Sequence, residues 1–213
     1  MKYLLAALTA GLLAAPVGAS ATYLDFVAEA AGNERGVADG TTINFGGLDV
    51  TFSSLSAGSF YAYFDDLDQG KPAGLGVCET LVSGPGSACA DTGDDNIRAG
   101  DAVTLTFGET VTVSNFSFTD ADHNDLNMND TNTLLIAIND PNAFMSYTFA
   151  EAVALVIAGV DLIRFGFDVN GNGVQYYVNG FEASAVPLPA ALPLMLAGLG
   201  GLGFAARKKR KAA

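Results

Sequence analysis

Three turns concentrate the oxygen ligands of this chain. The first is Asp91-Thr-Gly-Asp-Asp-Asn96. The second is Asp120-Ala-Asp-His-Asn-Asp125, with Asn127, Asn129 and Asp130 just beyond. The third is Asp168-Val-Asn-Gly-Asn-Gly173. A hard cation such as Ca2+ takes about six to eight oxygens, and carboxylates alternating with amides in one loop can converge on it. The third turn resembles the first half of a helix-loop-helix calcium loop, but its twelfth position is Asn179 rather than a glutamate, and no helices flank it. The second turn is the best candidate, with Asp120, Asp122 and Asp125 as the ligands of one structural Ca2+. Three carboxylates within six residues repel one another unless a cation or water screens them. The same residues also serve as plain solvated turns, where Asp, Asn and Gly supply local hydrogen bonds and positive φ. Both readings stay open at this point. No motif requires any other cofactor.

Catalytic chemistry finds few parts. His123 is the only histidine, so a Ser-His-Asp set has to use it, and a His-rich zinc site is excluded by count. No G-x-S-x-G elbow is present. Nothing singles out a carboxylate pair for glycoside hydrolysis. A buried, closely spaced pair in a cleft favours a secreted hydrolase. A patch of exposed tyrosines beside an acidic loop favours binding instead. Tyr61, Tyr63, Tyr147, Tyr176 and Tyr177 are the residues for such a sugar-stacking platform, although alternating strand positions equally make them core. Cys78 and Cys89 bracket a loop containing Ser83-Gly-Pro-Gly-Ser87, flexible enough to let them meet as a disulfide in an oxidising compartment.

The elements that must position these residues are strands. The middle of the chain has no long amphipathic helix but many short β-rich runs separated by Gly, Asn and Asp. Tyr23 to Glu29 starts the series. Thr41 to Phe45 and Leu48 to Phe52 form a hairpin around Gly46-Gly47. Ser59 to Phe64 comes next, and Gly74 to Cys78 reads as a short edge. Val103, Leu105 and Phe107 alternate with Thr104 and Thr106, and Gly108-Glu109 reads as a turn. Val111 and Val113 keep one phase while Phe116 and Phe118 take the other, which predicts a bulge near Ser114-Asn115. Thr133 to Ile138 and Ser146 to Phe149 are joined by Asp140-Pro141-Asn142. Val153 to Ile157 admits a strand or one helical turn. Ile163, Phe165, Phe167 and Val169 alternate, and Asn170-Gly-Asn-Gly173 turns the chain into Val174 to Glu182. The expected fold is all-β, an antiparallel β-sandwich of jelly-roll type.

Both ends of the chain carry addresses. Lys2, a short apolar run and Ala19-Ser20-Ala21 make a secretory signal peptide, residues 1–21. Residues 22–185 form the exported domain. It holds all 23 acidic residues against only Arg35, Lys71, Arg98 and Arg164, a net charge of −19. So acidic a surface argues against nucleic acid and anionic lipid as partners. Residues 186–213 are a tail: Val186-Pro187-Leu188-Pro189-Ala190, an uncharged run to Ala206, then Arg207-Lys208-Lys209-Arg210-Lys211. Leu188 to Ala206 is long enough, at roughly 28 Å as a helix, to cross a bilayer once. The basic cluster fixes its cytoplasmic end. Gly198-Leu-Gly-Gly-Leu-Gly203 matches a dinucleotide fingerprint by letter only, because no βαβ unit surrounds it.

The tripartite tail resembles the VPLPA variant of the bacterial PEP-CTERM sorting signal. That resemblance implies recognition and processing by an exosortase, a membrane-embedded cysteine protease-transpeptidase. It also implies a role in bacteria that make extracellular polysaccharide. Within the body, Ala28 to Asp39, Gly74 to Cys78, Asp94 to Asn96 and Phe118 to Asn124 resemble exported PEP-CTERM and VPLPA-CTERM proteins of proteobacteria. The expected function is therefore a non-enzymatic surface or matrix protein. It is exported across the inner membrane, held there by its tail, and released to the cell surface or medium by processing. A Ca-dependent carbohydrate-binding module is the alternative, and a secreted hydrolase comes third.

Overall fold

The structure, a computed structural model, describes residues 21–54, 60–66, 70–90 and 95–186, all within one compact unit, Ser20–Val186. The signal peptide up to Ser20, the tail from Pro187, and Asp91 and Asp94 of the first acidic turn lie outside the described residues. Among the described residues no helix is long and apolar enough to cross a membrane.

The domain is built on β7 (Ala102–Asp120), a single strand of 19 residues. Its Val103–Phe107 half pairs with β4 (Leu48–Ser54), and its Val111–Asp120 half pairs with β11 (Tyr176–Ala185). β10 (Ile157–Phe167) pairs with it from Ala102 to Val113. Gly108-Glu109 therefore does not turn the chain. The irregularity it introduces shows instead as a register shift against β10, between Val160↔Val111 and Leu162↔Thr106. The phase slip further on is present. Val111, Val113, Phe116 and Phe118 are all buried, Asn115 takes φ 55°, and the register against β11 shifts there. An extra residue on one strand is the way to bring both phases to the same face.

The remaining strands extend this frame. β5 (Tyr61–Asp65), β6 (Gly74–Cys78) and β2 (Arg35–Val37) continue the sheet beyond β11 in the order β2-β5-β6-β11-β7-β10-β8-β9. β8 (Thr133–Ile138) and β9 (Met145–Thr148) finish the far side. β3 (Thr41–Phe45) forms the expected hairpin with β4, with positive φ at both Gly46 and Gly47. β6 is an interior strand rather than an edge, and all five of its residues are buried. Among the described residues, all eleven strands belong to one hydrogen-bonded sheet with antiparallel neighbours, so the fold is all-β. Val169, the last of the alternating set with Ile163, Phe165 and Phe167, lies past the end of β10 and is 62% exposed.

Two short helices replace strand expectations. Tyr23 to Glu29 divides into β1 (Ala21–Asp25), paired with β11, and α1 (Phe26–Ala30). Asp25 ends the strand because its carboxylate caps the helix, accepting from the Ala28 N–H at 2.9 Å. The switch drives Phe26 into the core, within 5.7–6.2 Å of the rings of Phe45, Phe52, Phe64 and Phe181. α2 (Phe149–Val153) starts at a reciprocal Thr148–Glu151 capping box, so the chain turns helical four residues earlier than Val153 to Ile157 suggested.

Candidate functional site

Strand alternation gives β5 and β11 two different faces. On one, Ala62, Phe64, Tyr176 and Val178 enter the main apolar core. On the other stand Tyr63, Asp65, Tyr177 and Asn179, all buried. This second face is covered by the segment that carries Asp95 and by the turn after β7. Gly76 permits the cover, because a Cβ there would overlap the carbonyl of Asp95. The result is a polar layer enclosed between sheet and loops.

Its centre is Tyr177, whose hydroxyl donates to Asp95 Oδ1 at 2.6 Å. The ring of His123 stands edge-on to Tyr177 at 5.2 Å. His123 Nδ1 is 3.2 Å from the Lys71 carbonyl, and Nε2 is 3.4 Å from Asp65 Oδ2. A carbonyl only accepts, so Nδ1 carries the proton. Nε2 is left facing the Asp65 carboxyl, from which it can accept when that carboxyl is protonated. Burial is the main force raising Asp65, the charge of Asp95 is next, and the Tyr177 hydrogen bond opposes them; the carboxyl ends at about 7. Asp95 is raised too, by burial first, with Tyr177 again opposing. The Tyr177 hydroxyl is pushed well above its ordinary range by burial and by the two carboxylates.

Next to this centre, Tyr63 ties down the disulfide loop. Its hydroxyl donates to Glu34 and accepts from the Cys89 N–H at 2.9 Å. Cys78 and Cys89 are joined, with Cα atoms 5.9 Å apart, and they pack with Tyr63 and Leu81 as a small second core. On the other side Asn179 donates to the Ala73 carbonyl and to Thr119 Oγ1 at 3.1 Å.

The second acidic turn is what presents His123. Asp120 Oδ1 accepts from the N–H groups of Asp122 and Asn124 at 2.9 and 2.8 Å, and Asn124 Nδ2 also reaches it at 3.2 Å. Asp125 accepts from the Asn127 N–H at 2.7 Å. His123 takes φ 58°, which points its ring inward while Asp122 and Asp125 stay exposed. Asp120, Asp122 and Asp125 are thus placed in one turn, but no group of three His, Cys, Asp or Glu among the described residues is arranged to hold a metal ion. In the third turn Asp168 is buried. Burial raises its carboxyl, but donors from Ser146, Gly171, Thr133 and Asn170 outweigh that and hold it below the ordinary range. The Ser146 hydroxyl donates at 2.5 Å and the Gly171 N–H at 2.8 Å. Of the five tyrosines, Tyr63, Tyr176 and Tyr177 are buried, so the set does not form an exposed platform.

Sequence reasoning did not single out Asp65 or Glu34. The available signal was the alternation Tyr61-Ala-Tyr63-Phe-Asp65, which puts an acid in phase with two tyrosines, opposite a strand with glycines at 74 and 76.

Fold and site together define a small, acidic, antiparallel all-β domain clasped by one disulfide. The family match falls where the chain leaves its last strand: residues 185–211 match the PEP-CTERM protein-sorting motif. The chain therefore carries the sorting signal of an exosortase substrate, and that signal implies export. No curated protein and no solved structure matches the chain. The likeness expected of the body segments, from Ala28 to Asp39 through Phe118 to Asn124, lies outside the family match, which spans residues 185–211.

Proposed function

We propose that this is a non-enzymatic component of the cell surface or extracellular matrix. A signal peptide exports it, the tail holds it at the inner membrane, and exosortase processing releases it to a polysaccharide-rich exterior. The observation that carries the reading is the position of the sorting motif. It matches from residue 185, the last residue of β11, so the whole described domain lies on the side that processing would release. The polar layer supports the non-enzymatic part. Asp65 and Asp95 are 8% and 7% exposed, and Asp95 is engaged by the Tyr177 hydroxyl. They fit a structural layer better than a carboxylate pair working in a cleft. Burial of three of the five tyrosines weighs against the carbohydrate-binding alternative. The sandwich form of the fold is part of the same reading. Phe52 of β4 and Phe64 of β5 lie 5.3 Å apart although those strands are not hydrogen-bonded neighbours, as expected of a sheet folded face to face.

Intact-mass analysis of the protein from cell surface and medium tests this, in cells with and without an active exosortase. Loss of a C-terminal segment including Arg207 to Ala213, only where the exosortase is active, is the expected result. An unprocessed chain in both strains refutes it.

A further inference from the structure

The sorting motif begins inside the sheet. Ala185 faces Val111 of β7, and Ser184 faces Thr112 of β7 on one side and Ala21 of β1 on the other. The ladder continues one residue further, since the Val186 N–H donates to the Thr110 carbonyl at 3.0 Å. No spacer separates the folded domain from Val186, the first residue of the expected recognition sequence.

This matters for any enzyme that takes its substrate as an extended peptide. Such enzymes bind backbone N–H and C=O groups by adding a strand. A backbone N–H makes its bond with one partner at a time, so a segment held in a ladder has fewer groups to offer. We propose that the β11–β7 end is a latch on processing: the exosortase takes the tail only when Ser184–Val186 have peeled away from β7. The proposal rests on the reading that the tail is an exosortase substrate, and it adds what regulates that step.

Burial shows where peeling stops. Val186 is 44% exposed, and Ser184 and Ala185 are half-buried, so freeing these three uncovers little apolar surface. Ala183 is 1% exposed, and Phe181 beyond it is fully buried against Phe26, Phe107, Phe116 and Phe165. Sheet ends open far more readily than packed centres, so a three-residue opening is accessible while the aromatic core stays shut. The domain therefore yields its tail without unfolding.

The test tracks the full chain in exosortase-active cells by pulse-chase, reading the half-time for loss of tail mass. One variant carries a four-residue Gly-Ser spacer between Ala185 and Val186. A second carries Ser184→Cys with Thr112→Cys, a directly opposed pair whose Cα separation in an antiparallel ladder suits a disulfide. Resistance of each variant's domain to added protease confirms folding. The spacer is expected to shorten the half-time, and the cross-link to lengthen it until membranes are treated with reductant, with reductant-treated wild type as control. Unchanged half-times in both variants, with wild type processed normally, overturn the latch alone. A wild-type tail that is never lost overturns the functional reading, and the latch falls with it.

Discussion

Asp65→Asn isolates the most perturbed carboxyl of the polar layer. Its folded-state value is about 7 against an ordinary 3.8, raised by burial and then by Asp95. A raised value means the folded state resists ionisation. Below about pH 4 the group is protonated folded or unfolded, and its full contribution is present. As pH climbs towards 7 the unfolded chain ionises first, and folded stability falls. Above about pH 7 both states are ionised and the loss is complete. A shift of this size is worth roughly 4 kcal/mol for a wholly enclosed group, at about 1.4 kcal/mol per unit. Solvent screening near the domain surface reduces that to about 2 kcal/mol. The groups facing Asp65 are Asp95, Glu34, His123 and Tyr177, so the variant keeps the residual slope of Asp95. The assay is urea unfolding of the exported segment from pH 4 to pH 8, monitored by circular dichroism. Wild type is expected to lose about 2 kcal/mol more over this range than Asp65→Asn. The exposed Glu109→Gln serves as control for general acidic repulsion. Parallel pH curves for wild type and Asp65→Asn refute the reasoning.

Three further predictions concern the parts around this layer. Replacing Cys78 and Cys89 by serine opens a loop spanning 11 positions and is expected to cost about 3 kcal/mol, read as a lower urea midpoint without reductant. Gly76→Ala forces a methyl into the carbonyl of Asp95 and is expected to cost about 3 kcal/mol, with faster amide exchange at Asp95 and Asn96. Asp120→Ala leaves the Asp122 and Asn124 N–H groups without their acceptor and is expected to cost about 2 kcal/mol in EDTA and in millimolar Ca2+ alike. A calcium-dependent rise of the wild-type midpoint that Asp122→Ala abolishes would instead place an ion at this turn.

Much of this protein was legible because the signals are local. Two glycines between apolar runs specify a hairpin, since both positions need positive φ, and Gly46 and Gly47 supply it. The slip from Val111 and Val113 to Phe116 and Phe118 demands a bulge whatever the strand pairs with, and Asn115 takes it. Two cysteines around a glycine-rich loop in an exported chain have one partner each. The sorting signal is contiguous and recognisable without any fold. Asp25 and the Thr148–Glu151 box misled for a related reason. A residue that caps a helix looks, in an alternating apolar run, like one more outward position of a strand.

The sequence by itself determined most of the strands, the disulfide and the sorting signal, because each depends on neighbours within about a dozen residues. The tertiary structure alone decided which acids are buried together and where the domain gives way to its tail. A period of two assigns Tyr63, Asp65, Tyr177 and Asn179 to a face but cannot say that a loop covers it. That cover depends on Gly76 letting the backbone of Asp95 lie on β6, which brings Asp65, Asp95 and His123 around Tyr177 from four distant segments. Pairing was equally hidden. Nothing in Ser184-Ala185-Val186 announces that β7 holds it, because hydrogen-bond partners in a sheet are chosen by the whole topology and not by the strand's own residues.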